Sequence, residues 1–352
     1  MSTPRPSLPG GSWSRAVRRE TARPFEARDR PWGIVLAGGD GRRLRPFLRE
    51  IGAEDRPKQF SELLGSRTLL QQTLNRTRLL IPGERTVVVA TRPHDRFLSA
   101  ERGDPEGPTI LVQPSNRGTA AGILLPTHWI HREDPGALVA IFPSDHFVVE
   151  EHAFMAHVEE VSRFVAKNPR EIALVGARPT EPDPELGWVE LGPPVGATAA
   201  GAICRVRSFR EKPSAREAIE LFERGDLWNT FVLVAKASSL IEVSRELLPD
   251  LDRRLNAALS APRDRAQKAL EEAYELAATE DFSRSILERC AARLSISRLP
   301  PLSWSDWGTK ERVVRSLRNA GLRPPWLAAI DAPPWRASSG ARWTPIMAAP
   351  SP

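Results

Sequence analysis

Apolar residues recur along this chain in two alternating rhythms. Short apolar runs at residues 34–37, 86–91, 109–112, 137–142 and 172–175 read as strands, while 69–80, 119–131 and 152–166 repeat apolar residues every three or four positions and read as helices. The run at 137–142 is apolar without interruption, as a strand covered on both faces requires. This alternation predicts an α/β fold, a doubly wound and mostly parallel sheet. Ligands in such sheets sit beyond the carboxyl ends of the strands. From Gly187 the rhythm changes. Residues 188–191, 204–209 and 231–234 read as short strands with little helix between the first two, a β elaboration that returns to the sheet. Helices are expected at 214–224 and 235–248, the first opened by Ser214 with Glu217 three residues on. A charged helical region at 250–290 and a last helix at 309–319 complete the body.

The ends differ from this body. Residues 1–30 are rich in Pro, Arg and Ser and read as a disordered basic arm, residues 31–331 as one domain, and residues 332–352 as a poorly ordered tail. Seven Arg against Glu20, Glu26 and Asp29 in the arm, with Arg336 and Arg342 in the tail, account for the whole net charge of +6. The body is neutral and carries no charge excess calling for nucleic acid. Cys204 and Cys290 are the only cysteines, too few for a zinc site or a disulfide framework. No apolar run approaches the ~18 residues of a membrane span, and the Arg18-Arg19 pair has no apolar stretch after it, so a cytoplasmic protein is expected. No hexapeptide repeat is present. The sequence leaves oligomeric state open, with a homodimer among the possibilities.

Chemistry concentrates in a few segments. Strand 34–37 runs into Leu36-Ala37-Gly38-Gly39-Asp40-Gly41-Arg42-Arg43, and Pro57-Lys58-Gln59-Phe60 follows. Glycines let backbone N–H groups close on phosphates, and Arg43 and Lys58 add the positive charge a triphosphate needs. No Gly-Lys-Ser/Thr ending makes this a Walker A loop, and Gly38, Gly39 and Gly41 do not fit the dinucleotide spacing. Pro143-Ser144-Asp145-His146 delivers a carboxylate at the end of strand 137–142, and Trp304-Ser305-Asp306-Trp307-Gly308-Thr309 offers another before a helix. Either Asp alone reads as a helix cap; as a pair with phosphate oxygens they suit Mg²⁺, which prefers hard oxygen ligands and takes few from protein. Only six of the fifty basic residues are Lys, so Lys58 and Lys212 mark places where a compact ammonium suits better than a guanidinium.

LAGGDGRRLRP followed by PKQF resembles the sugar-phosphate nucleotidyltransferases, and PKQF most resembles the mannose-1-phosphate guanylyltransferases among them. The resemblance runs over residues 32–320 and implies their Rossmann-like fold. It implies that Leu36, Ala37, Gly38, Gly39 and Gly41 wrap the nucleotide, and that Gln113, Gly118 and Thr119 of Gln113-Pro114-Ser115-Asn116-Arg117-Gly118-Thr119 recognise base and ribose. It makes Arg43, Lys58 and Lys212 catalytic, with Arg43 and Lys58 on the leaving pyrophosphate, and Asp145 and Asp306 the Mg²⁺ ligands. Gly187, Glu211, Lys212 and Asn229 would hold the sugar phosphate, Lys212 its phosphate and Glu211 a hydroxyl. Two positions depart from the family pattern. Trp228-Asn229 runs into Thr230-Phe231 where relatives often have Trp-Asn-Ser-Gly, and Gly118 stands where guanylyltransferases often carry Asn. The expected reaction is GMP transfer from GTP to mannose-1-phosphate. Glucose-1-phosphate with UTP or dTTP, a silent sugar-nucleotide sensor, and nucleic-acid binding through the arm remain as alternatives. His146 is expected to be a hydrogen-bonding bystander, because the attacking phosphate is already an anion.

Overall fold

A computed structural model describes residues 30–53 and 56–331. Apart from Arg30, the expected arm and tail lie outside the described residues. Eleven strands are present among the described residues: β1 (Trp32–Leu36), β2 (Thr86–Thr91), β3 (Thr109–Gln113), β4 (Leu138–Pro143), β5 (Phe147–Val148), β6 (Ile172–Ala177), β7 (Gly187–Thr198), β8 (Gly201–Glu211), β9 (Leu227–Lys236), β10 (Leu294–Arg298) and β11 (Trp304–Ser305). Nine of them form one sheet in the order β3-β2-β1-β4-β9-β6-β10-β8-β7, and β5 pairs with β11 in a separate ribbon. The pairs β3/β2, β2/β1, β1/β4 and β6/β10 are parallel. Strand β9 runs antiparallel between β4 and β6. Strands β1, β2, β3, β4, β6 and β10 therefore point the same way, as does β7, and the carboxyl ends of the first six open on one edge.

Period-two alternation builds the two faces. Val139 and Ile141 of β4 and Leu233 and Ala235 of β9 bury one face against the helices Gly118–Glu133, Ala237–Leu247 and Pro249–Leu259. Their neighbours Ala140, Phe142, Val232 and Val234 bury the other, against Glu151–Lys167. The mostly parallel, doubly wound reading holds. Three details differ from the expectation. The short strands at 188–191 and 204–209 belong to a long ribbon, β7 with β8, whose outer half, 192–198 with 201–205, is mostly glycine, proline and alanine and largely exposed, and therefore unmarked by alternation. Strand 231–234 starts earlier, at Leu227, so Trp228, Asn229 and Thr230 are strand residues. Strand β10 (LSISR) was not expected, because its buried Ser295 and Ser297 hide it from a hydrophobic scan. The capping box of Ser214 with Glu217 forms as expected.

Candidate active site

Beyond the carboxyl ends of β1 and β4 lies a cavity of about 550 Å³. Its floor is the glycine-rich turn after β1. Gly41 sits at φ +60°, and a Cβ there would lie 2.9 Å from the Lys58 backbone nitrogen. Only glycine lets the turn press this closely on PKQF. Gln59 completes the lock: its amide donates to the carbonyls of Ala37 and Gly39, at 2.8 Å each. The neighbouring strand is tied in by Ser144, whose hydroxyl donates to the Leu36 carbonyl at 2.6 Å.

Lys58 is 4% exposed. Its ammonium donates to Asp145 Oδ2 at 2.9 Å and to the backbone carbonyl of Asp306. Residues 87 and 248 positions away thus meet on one ammonium. Lys58, expected at the leaving pyrophosphate, joins the two carboxylate-bearing loops here. Arg312 donates to Asp306 Oδ1 at 2.7 Å and pairs with Asp183. Burial raises the pKa of Asp306, but the charge and hydrogen bond of Arg312, with Lys58 beyond, bring it out below the ordinary carboxylate value. A Cβ at Gly308 would lie 2.5 Å from Asp306 Oδ2, so glycine there makes room for the carboxylate. Neither Asp caps a helix: Thr309 caps Lys310–Asn319, accepting from the Arg312 N–H, and a further helix, Pro325–Asp331, follows the one expected to be last.

Among the described residues the second oxygen of each carboxylate, Asp145 Oδ1 and Asp306 Oδ2, accepts no hydrogen bond. No three His, Cys, Asp or Glu side chains among the described residues gather into a metal cage. Two hard oxygen donors facing one cavity are a donor set that Mg²⁺ accepts, since it usually takes only one or two carboxylates from protein. His146 accepts a hydrogen bond at Nδ1 from the Trp304 indole, at 3.3 Å, and burial lowers its pKa to about 4. Its imidazole is held against Trp304.

Across the cavity, β7, β8 and β9 bring Gly187, Glu211 and Asn229 together. A Cβ at Gly187 would lie 2.8 Å from Glu211 Oε2 and 3.3 Å from Asn229 Cβ. Burial, then the charge of Asp281, raises the pKa of Glu211. Lys212 is exposed and makes no ion pair with Glu211 or any other described residue. Between Asn229 and Val232 strand β9 bulges: Asn229 faces Gly176 and Val232 faces Val175, leaving Thr230 and Phe231 as extra residues. Thr230 Oγ1 donates to the Val175 carbonyl at 2.6 Å, and Asn229 Oδ1 accepts from the Phe231 N–H at 3.1 Å. Phe231 is left at φ +60°, a conformation that bulky residues rarely adopt. Lys212 at +51° and Trp307 at +47° share it, and these three line this cavity. No other non-glycine residue among those described has a positive φ.

Residues 32–320 match the family model described as Nucleotidyl transferase. The chain belongs to the nucleotidyl transferase family. It is similar to the xanthan biosynthesis protein XanB of Xanthomonas campestris pv. campestris (strain B100), 30% identical over 284 residues, which are 78% of this chain and 57% of XanB. A mannose-1-phosphate guanylyltransferase of Sinorhizobium fredii (strain NBRC 101917 / NGR234) is 29% identical over 287 residues, 79% of this chain and 53% of that protein. The chain thus spans little more than half the length of these curated relatives. The crystal structure of mannose-1-phosphate geranyltransferase from Thermus thermophilus matches with a TM-score of 0.68 at 30% identity, covering 84% of this chain and 80% of that one.

Of the residues expected at the site of this nucleotidyl transferase, Leu36, Gly39, Gly41, Arg43, Lys58, Thr119, Asp145, Gly187, Glu211, Lys212, Asn229 and Asp306 line the cavity. Ala37, Gly38, Gln113 and Gly118 do not. Gln113 is buried behind the turn, where its amide would meet a Cβ on Gly38 at 3.0 Å and its Oε1 accepts from Tyr274. Gly118 is at φ +82° and packs on the Glu280 carbonyl, which a Cβ would strike at 2.1 Å. That contact is reason enough for the glycine. Arg43 reaches Glu185 at 2.9 Å across the mouth of the cavity. Gln59, Arg312 and Gly308 were not expected. Gln59 stood inside a quoted motif, but nothing in the sequence marked Arg312 among forty-four arginines.

Proposed function

We propose that this chain is a cytoplasmic enzyme that transfers GMP from GTP to mannose-1-phosphate and releases pyrophosphate. The observation that carries the reading is the opposition, in one cavity, of the Gly41–Lys58–Asp145–Asp306 cluster to Gly187, Glu211, Lys212 and Asn229. One side suits a triphosphate and the other a phosphorylated sugar. The similarity to proteins named for mannose-1-phosphate guides the choice of sugar and base.

In this reading an oxygen of the sugar phosphate attacks the α-phosphorus in line, and catalysis is positioning plus charge neutralisation. Asp145 and Asp306 would hold Mg²⁺, which when bound supplies charge stabilisation at the phosphates. Lys58 keeps both carboxylate loops in register and adds a buried positive charge beneath the phosphates. Arg43 would meet the pyrophosphate at the cavity mouth. Lys212, exposed and unpaired, would orient the attacking phosphate, and Glu211 and Asn229 would accept and donate to sugar hydroxyls. Backbone N–H groups of the Gly39–Gly41 turn would close on the phosphates.

The test is pyrophosphate release with Mg²⁺, crossing the four NTPs with mannose-1-phosphate and glucose-1-phosphate. Release confined to GTP with mannose-1-phosphate is expected. Release with another pair keeps the mechanism and replaces the substrates, a reading to which the departure at Phe231 lends weight. Nucleotide-sugar binding without release from any pair would make the chain a sensor.

A further inference from the structure

A second cavity, about 350 Å³, lies beyond the carboxyl ends of β6 and β10. These strands are adjacent and parallel, with Gly176 opposite Arg298. Arg298 ends β10 and Arg178 follows β6, so the topology sets two guanidinium groups at one crevice. Neither makes a hydrogen bond or ion pair with a described residue. The other two arginines in this wall differ: Arg312 is matched by Asp183 and Asp306, and Arg315 by Glu181. Arg178 and Arg298 therefore leave a local excess of positive charge in a protein body that is otherwise balanced.

Trp228 is 7% exposed and lines this cavity, yet its indole N–H has no acceptor. The nitrogen itself is sealed from solvent, so Trp228 contributes its ring to the cavity wall. Residues 299–302, Leu-Pro-Pro-Leu, with Trp304 give the cavity an apolar side. The first cavity is a neighbour, with Leu186, Trp304 and Asp306 standing between the two. Neither Arg178 nor Arg298 reaches it.

We propose that this second cavity is a binding site for a phosphate monoester with an apolar or planar remainder. Two guanidinium forks suit the dianionic phosphate, each able to bind two oxygens at once. The remainder lies along 299–302, Trp228 and Trp304. The site is independent of the reading given to the first cavity.

Phenyl phosphate has this chemistry and serves as the probe. Binding to the full-length chain is followed by calorimetry, with tryptophan fluorescence reporting on Trp228 and Trp304. Saturable binding is expected in wild type and in Lys212→Ala, and a loss of at least tenfold in R178A/R298A. R178K/R298K, which keeps the charge but not the forks, should fall between. Both arginines are exposed, and equal melting temperatures for wild type and R178A/R298A establish that the fold is unchanged. Absence of saturable binding in wild type overturns the proposal. So does equal affinity in R178A/R298A, or loss in Lys212→Ala alone, which would put the probe in the first cavity.

Discussion

On one side of the larger cavity Asp145, Lys58, Asp306, Arg312 and Asp183 form a chain of alternating charges, most of it buried. On the other, Glu211 and Asn229 crowd onto Gly187, Lys212 stands free, and Phe231 holds a backbone conformation that suits glycine. The first side is stiff because Lys58 ties the Asp145 and Asp306 loops together and Arg312 ties the Asp306 loop to Asp183, so no one loop can move alone. The second is shaped by a bulge whose geometry is kept by two local side chains, Asn229 and Thr230. The contrast suggests a division of labour. Phosphate and metal chemistry sits where the framework is over-determined, and sugar selection sits where a few residues on one strand can change without disturbing it.

The largest effect should come from Asp145→Asn. It keeps the shape of the side chain and removes the charge of one of the two carboxylates of the proposed metal site. Pyrophosphate release should fall roughly 10³-fold or more, and the melting temperature should fall without loss of the fold, because the Asn oxygen still accepts from the buried Lys58 ammonium but its counter-charge is gone. Activity within a few-fold of wild type would remove Asp145 from the proposed metal site and, with it, the claim that the stiff side carries the chemistry.

Arg312→Leu tests the stiffness itself. It strands Asp183 and Asp306, both nearly buried, and breaking a buried pair in this way costs about 3–5 kcal/mol. Urea denaturation measures it. The pH dependence should change too. Asp306 has a lowered pKa in the folded protein, so its pairing contributes above the unfolded carboxylate value of about 3.9 and is lost as pH falls through the folded value. Without Arg312, burial dominates, the folded pKa rises, and acid unfolding moves to higher pH. A loss under 1 kcal/mol, with an unmoved acid transition, would mean the charge chain is not what fixes Asp306.

Much of the stiff side was legible in the sequence and little of the other. Gly41, Lys58, Asp145 and Asp306 sit in short motifs whose residue types state their chemistry. Their partners do not: Arg312 lies on an exposed-looking helix, and only the three-dimensional return of that helix over the loop gives it Asp306 and Asp183. The antiparallel insertion of β9 between β4 and β6 was hidden because βα alternation says nothing about strand direction at the turn of the sheet. Sequence alone marked Phe231 as a departure from a glycine, but the left-handed backbone that makes the departure matter needed the bulge.

Phe231→Gly probes the adaptable side. Relief of the left-handed backbone returns about 1–2 kcal/mol, offset by the lost edge contact with Phe282 at 6.3 Å and by added chain entropy. Stability should change by less than about 1 kcal/mol. The ratio of kcat/KM for mannose-1-phosphate to that for glucose-1-phosphate should shift at least several-fold, because the ring forms part of the wall. An unchanged ratio would show that Phe231 does not shape the sugar pocket.

The smallest effect concerns His146, which touches the stiff side without belonging to its charge chain. Its pKa is about 4 in the folded protein against about 6.5 unfolded, so between these values the unfolded chain takes up a proton that the folded one refuses. Stability is therefore lost as pH falls from about 6.5 toward 4. His146→Gln keeps an acceptor for the Trp304 N–H and removes the titration. It should match wild type at pH about 8 and exceed it by roughly 1–2 kcal/mol at pH about 5. Its kcat should stay within a few-fold, with no limb gained or lost in the pH–rate profile, since a phosphate nucleophile needs no base. A large fall in kcat together with loss of an acidic limb near pH 4 would make the imidazole a proton acceptor in the reaction, and would move the boundary between framework and chemistry to include it.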